Sequence, residues 1–214
     1  MAEAIDAEVH SILVEGVDHT SNEELFQALS LTKGASLVGF DTEAARRRLE
    51  NLPWVRDAVV NRSLPSTVRV DIFEHKPIAR IIDEETQDIW VVNSEGSRIS
   101  LDENRAFSVL PLIKGKSSAL HAAELIALLK QTEFYSKVKA AVFVGERRWN
   151  LGFDGDMWVQ LPENGALEAL SLLAELEKRK QVLSVKGGMV DLRLTDRVIF
   201  RMPPKSKAKQ GRVL

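Results

Sequence analysis

The chain has 214 residues, 44% of them hydrophobic and 28% charged, with a formal net charge of −2. That composition suits one large or two small globular domains and excludes both a disordered polyelectrolyte and the basic field that attracts nucleic acid. Cysteine is absent, so disulfide scaffolds, zinc ribbons and thiol catalysis are excluded. No run of about 18 apolar residues offers a membrane span, and the acidic start after Met1 does not read as a signal peptide.

Residues 1–9 are short and acidic and read as a disordered linker. Ser11–Val14 is a candidate strand ended by Gly16, and Ser21 with Glu24 forms a capping-box pattern ahead of an apolar stripe at Leu25, Ala28 and Leu29. Asp41 is placed to cap a second helix that carries Ala45, Leu49 and Leu52 inward and Arg46, Arg47 and Arg48 largely outward. Two strand-like runs follow, Trp54–Asn61 and Thr67–Glu74, around a polar turn at Arg62–Ser66. In the second run Val68, Val70 and Ile72 alternate with Arg69 and Asp71, the period of a half-buried strand. Trp54, beside Pro53, is assigned to the core. Pro77 ends the second run and marks a domain boundary.

Beyond it, strands are predicted at Ile78–Ile82, Ile89–Val92, Arg98–Leu101, Lys139–Val144, Arg147–Gly152 and Met157–Leu161. Ser117 is expected to cap a helix reaching about Gln131, and a leucine-rich helix is expected over Asn164–Arg179. Asp154-Gly155 is the signature of a two-residue hairpin turn. Two last strands fit Met189–Leu194 and Arg197–Met202, joined at Thr195-Asp196. Pro203-Pro204 ends regular structure, and residues 203–214 read as a disordered basic tail.

The search for chemistry returns little. His10, His19, His75 and His121 lack metal-ligand spacing, and no nucleophile elbow, Walker loop or dinucleotide fingerprint is present. Asp154-Gly155-Asp156 lacks the later ligands of a calcium loop. Arg46-Arg47-Arg48 is read as a solvated helix face rather than a lipid or acidic-partner contact. The reading is therefore a non-enzyme with no cofactor and no metal. The feature that invites function is the terminal strand Arg197, Val198, Ile199, Phe200, Arg201 and Met202. An edge there offers unpaired N–H and C=O groups to an incoming strand, while alternate side chains select its sequence.

Several segments resemble one family. Trp54-Val55 after a proline, Leu64-Pro65-Ser66-Thr67-Val68, Glu74 and Pro77-Ile78-Ala79 are similar to the hairpin closing the POTRA domain of the FtsQ/DivIB cell-division proteins. His75 stands where an arginine is usual, and Arg80-Ile81 replaces a common tryptophan. Leu110-Pro111-Leu112-Ile113 with Gly115, Arg147–Leu151, Leu161-Pro162-Glu163 and Val190–Arg193 resemble motifs of that family's β-domain. The Arg-Arg-Trp run and the arginines Arg197 and Arg201 are similar to alphaproteobacterial versions.

The resemblance implies an α+β fold: a POTRA domain (β-α-α-β-β) over 10–77, then a mainly antiparallel β-domain with two or three helices over 78–202. It implies a divisome scaffold that helps control septal peptidoglycan synthesis, in the periplasmic region of a single-pass inner-membrane protein at the division septum. The transmembrane helix expected ahead of the POTRA domain is absent from this sequence. FtsB, which pairs with FtsL, is the implied partner on the last strand. There Asp191 and Arg193 anchor the register, and residues 197–202 receive the partner. The POTRA domain would offer a second surface to other divisome proteins. The alternative is a POTRA module of an outer-membrane assembly or secretion system.

Overall fold

The computed structural model describes residues 8–32, 34–101, 106–194 and 196–202, and the chain divides after Lys76 into two compact units. The first holds strands β1 (Ser11–Glu15), β2 (Val55–Ser63) and β3 (Thr67–Glu74) and helices α1 (Asn22–Leu29) and α2 (Thr42–Glu50). Its sheet runs β1-β3-β2, with β1 parallel and β2 antiparallel to the central β3. Val68, Val70 and Ile72 are buried on the face shared with Leu25, Leu29, Ala45 and Leu49, as the alternation requires. Gly16 has φ +83°, and a Cβ there would lie 2.1 Å from the Ile72 carbonyl oxygen, so a side chain is excluded where β1 turns away.

Both helix starts follow from their caps. The Glu24 N–H donates to the Ser21 hydroxyl oxygen while the Glu24 carboxylate accepts the Ser21 N–H at 2.9 Å. The Ala44 N–H donates to the Asp41 carboxylate at 2.9 Å. Ser21→Ala is expected to lower stability by about 1 kcal/mol, measurable by urea unfolding.

Three expectations for this unit change. Trp54 is half-buried, and its ring stacks on His19 with centroids 4.1 Å apart. A large amphipathic ring at a strand start needs one covered face and tolerates one wet edge. Arg46 lies between Glu43 and Glu50, and Arg48 donates to the Ala28 and Leu29 carbonyls at the C-terminus of α1, so two of the three arginines serve the fold. Of the stretch 1–9, the described residues pack against the unit: Val9 is buried and exchanges backbone hydrogen bonds with Gly34 and Ala35, and Glu8 bridges Ser36.

The second unit holds β4 (Ala79–Ile82), β5 (Ile89–Val92), β6 (Arg98–Leu101), β7 (Leu112–Lys114), α3 (Ser118–Leu129), β8 (Val138–Val144), β9 (Arg148–Phe153), β10 (Met157–Gln160), α4 (Ala166–Lys180), β11 (Met189–Asp191) and β12 (Ile199–Arg201). They form a nine-stranded sheet in the order β12-β11-β10-β9-β8-β7-β4-β5-β6. Pairing is antiparallel except at β4–β7, β7–β8 and β10–β11. Parallel neighbours need a crossover, and α3 and α4 supply it between β7 and β8 and between β10 and β11. Because β7 and β10 point the same way and both crossovers step the same way along the sheet, right-handed connection puts both helices on one face. Leu125, Leu129, Leu170 and Leu173 accordingly share one core with Ile113, Ala141, Leu151, Val159 and Val190.

Local details differ from the sequence reading. The β9–β10 turn uses three residues, 154–156, with Gly155 (φ 71°) and Asp156 (φ 58°) left-handed rather than Asp154 and Gly155. Ser117 is itself left-handed and caps nothing; its hydroxyl donates instead to Glu146 at 3.0 Å. β7 was not expected, because three residues between Pro111 and Gly115 carry no readable period. β11 and β12 are shorter than the runs expected for them. The turn expected at Thr195-Asp196 includes residue 195, which lies outside the described residues, as do residues 1–7 and the tail 203–214.

Candidate functional site

β12 ends the large sheet. It pairs with β11 on one side, Met189 with Arg201, Val190 with Phe200 and Asp191 with Ile199, and among the described residues no strand lies on its other side. Cross-strand partners share a face. Phe200 therefore lies on the helix-bearing face, in line with Val190, Val159 and Leu151, while Ile199 and Arg201 lie on the opposite face.

The predicted residues divide into two groups. Asp191 is buried and belongs to the support of the edge: its carboxylate accepts the Arg193 guanidinium at 2.9 and 2.7 Å and the Arg193 N–H at 3.1 Å. The hydrogen bonds from the Arg193 side chain hold the Asp191 carboxyl below its ordinary range against the opposing effect of burial, and the nearby Arg201 charge adds to them. Val198, half-buried, packs against the core. The second group is open. Phe200 is 40% and Met202 69% exposed, Arg201 is exposed, and Ile199 is half-buried. Arg197 is exposed and already paired with Asp196 at 2.8 Å.

The sequence reading missed a groove of about 300 Å³ between the start of α4 and the connection from β11 to β12, lined by Pro162, Gly165, Glu168, Leu172, Leu192 and Leu194. Leu172 and Leu194 remain 41% and 49% exposed in it. Its only signal in the sequence was a surplus of leucines on α4, where Leu167 and Leu172 stay exposed beside the buried Leu170 and Leu173. The histidines stay dispersed: His19 contacts the Glu74 carboxylate at 3.0 Å, and His121 stacks on Phe143 with ring centroids 4.8 Å apart.

Comparison with known proteins agrees with this architecture. Residues 7–75 match the POTRA domain of FtsQ type, and residues 80–193 match the C-terminal region of the cell division protein FtsQ/DivIB. The chain is 37% identical over 184 residues to the cell division protein FtsQ of Rhizobium radiobacter, covering 86% of this chain and 87% of that protein. It is 36% identical over 195 residues to the FtsQ of Agrobacterium fabrum, covering 91% of this chain and 61% of that protein. Against the FtsQ of Bradyrhizobium diazoefficiens it is 30% identical over 203 residues, covering 94% and 59%. It thus spans about three fifths of the length of the last two relatives.

The fold and these matches define a POTRA domain followed by a mixed, mostly antiparallel β-domain. The chain belongs to the FtsQ/DivIB family of cell-division proteins. The match over 80–193 sets it apart from the POTRA modules of outer-membrane assembly systems. That match ends before β12, so the terminal edge stands on its own geometry. No helix among the described residues is long and apolar enough to cross a membrane.

Proposed function

We propose that the chain is the periplasmic region of a non-catalytic divisome scaffold that binds the FtsB–FtsL pair by adding an FtsB strand to β12. In this way it would help control septal peptidoglycan synthesis from a single-pass inner-membrane protein at the septum. The observation that carries the reading is the open side of Ile199–Arg201 with Phe200 and Met202 exposed beside it. Each ladder hydrogen bond contributes about 0.5–1.5 kcal/mol net, so a strand this short needs side-chain contacts as well. Phe200 and the groove at Leu172, Leu192 and Leu194 supply apolar surface for them on the helix-bearing face. The POTRA domain offers other divisome proteins a second surface.

The test is binding of the membrane-distal segment of the same organism's FtsB, alone and with FtsL. Phe200→Asp is expected to weaken it by at least about 30-fold, the range of an interface hot spot, with circular dichroism unchanged because the side chain is open to solvent. Saturable binding that survives Phe200→Asp would move the partner elsewhere.

A further inference from the structure

Three arginines flank the terminal edge, and two of them are already matched. Arg193 is held by Asp191 at 2.7 Å and Arg197 by Asp196 at 2.8 Å. Arg201 differs. It is exposed on β12 and makes no hydrogen bond or ion pair among the described residues. Across the ladder on its own face stand Met189, at most a weak acceptor, and then Trp158, which accepts nothing. The Asp191 carboxylate is already engaged by Arg193 on both oxygens. The Arg201 charge still acts on Asp191 from a distance, but its donors are exposed at the last row of the sheet, where an added strand would lie beside them.

We infer that Arg201 selects an acidic residue in the incoming strand, so that the edge accepts a segment placing a carboxylate on the face opposite the helices and apolar residues at the alternate positions over the helix-bearing face. The inference rests on strand addition at β12 and adds to it which sequence fits. A residue directly across an added ladder would have its Cβ about 4.5–5.5 Å away, within reach of a carboxylate and close enough for a lysine or arginine to be repelled. Selection then works in both directions, by attraction of the acid and by rejection of the base. An arginine that merely discouraged stray pairing at the edge would leave affinity for the true partner untouched when replaced.

The experiment measures the dissociation constant of the same FtsB segment for the unaltered chain, Arg201→Ala, Arg201→Glu and Phe200→Asp, at low and high salt. Arg201→Ala is expected to weaken binding by about 3-fold and Arg201→Glu by about 10-fold, with both differences shrinking as salt rises. A peptide whose acidic residue is changed to lysine recovers affinity for Arg201→Glu and loses it for the unaltered chain. If Phe200→Asp abolishes binding while Arg201→Glu binds as the unaltered chain does at both salts, acid selection is overturned and strand addition stands. If neither substitution matters, or the unaltered chain does not bind, both fall.

Discussion

Glu74→Ala is expected to lower the stability of the POTRA unit by about 3–5 kcal/mol, the largest effect of any single substitution considered. Glu74 ends β3 with its side chain only 6% exposed. Its carboxylate accepts the His19 N–H at 2.9 Å, the Thr20 N–H at 2.8 Å, the Thr20 hydroxyl at 2.7 Å and the His19 imidazole at 3.0 Å. Those residues carry the chain from β1 into the cap of α1, and Thr20 is itself buried. Truncation strands the N–H and the hydroxyl of buried Thr20 at once, whereas an exposed ion pair would contribute at most about 1 kcal/mol. Loss of hydrogen-exchange protection across residues 8–76, with less than 1 kcal/mol lost in urea unfolding counting against it, is the measurement.

The pH dependence has a definite sign. Burial pushes the Glu74 carboxyl up, but the hydrogen bonds from Thr20 and His19 outweigh it and hold the group below its ordinary 4.5. A depressed carboxylate contributes its full stability above that ordinary value and loses it as pH falls through the lower, folded one. The penalty of Glu74→Ala should therefore shrink in acid, and constancy down to full protonation would contradict the assignment.

Asp191→Ala is the second large effect, about 2–4 kcal/mol, felt mainly at the end of the large sheet. The carboxylate is 4% exposed and ties Arg193 in a two-point contact directly after β11, while the Asp191 backbone pairs with Ile199. Removing it releases the exposed Arg193 to water, empties the buried position the carboxylate fills and frees the connection into β12. A three-residue edge strand has little else to hold it in register. Exchange protection at 189–191 and 199–201 should fall together, and FtsB binding should fall at least as far as in Phe200→Asp. Unchanged protection would mean that the clamp does not hold the strand. Its carboxyl is also depressed, so the edge too is complete above the ordinary carboxylate range and erodes in acid.

These two carboxylates show how unevenly the sequence exposes what matters. Glu74 and Asp191 stood out there only as family motif positions, because the groups they engage are defined by tertiary approach or by a turn. The position of β12 is the contrary case: as the last strand of the chain it was expected at an edge, and among the described residues it does end the nine-stranded sheet. The groove at Leu172 and Leu194 was illegible for a related reason, since the broad apolar face of α4 does not say which leucines stay uncovered.

By itself the sequence determined the elements with strong local signals: the caps at Ser21 and Asp41, the alternation of Val68, Val70 and Ile72, the break at Pro77, and an α+β protein. Those features depend on hydrogen bonds and periodicities within a few residues. Only the tertiary structure decided the order of the nine strands, the placing of α3 and α4 on one face, the half-exposed site of Trp54 and the exposure of Arg201 beside an Asp191 already held by Arg193. Each of these depends on which distant segments meet, and parallel pairing through a crossover brings together residues that no local period connects.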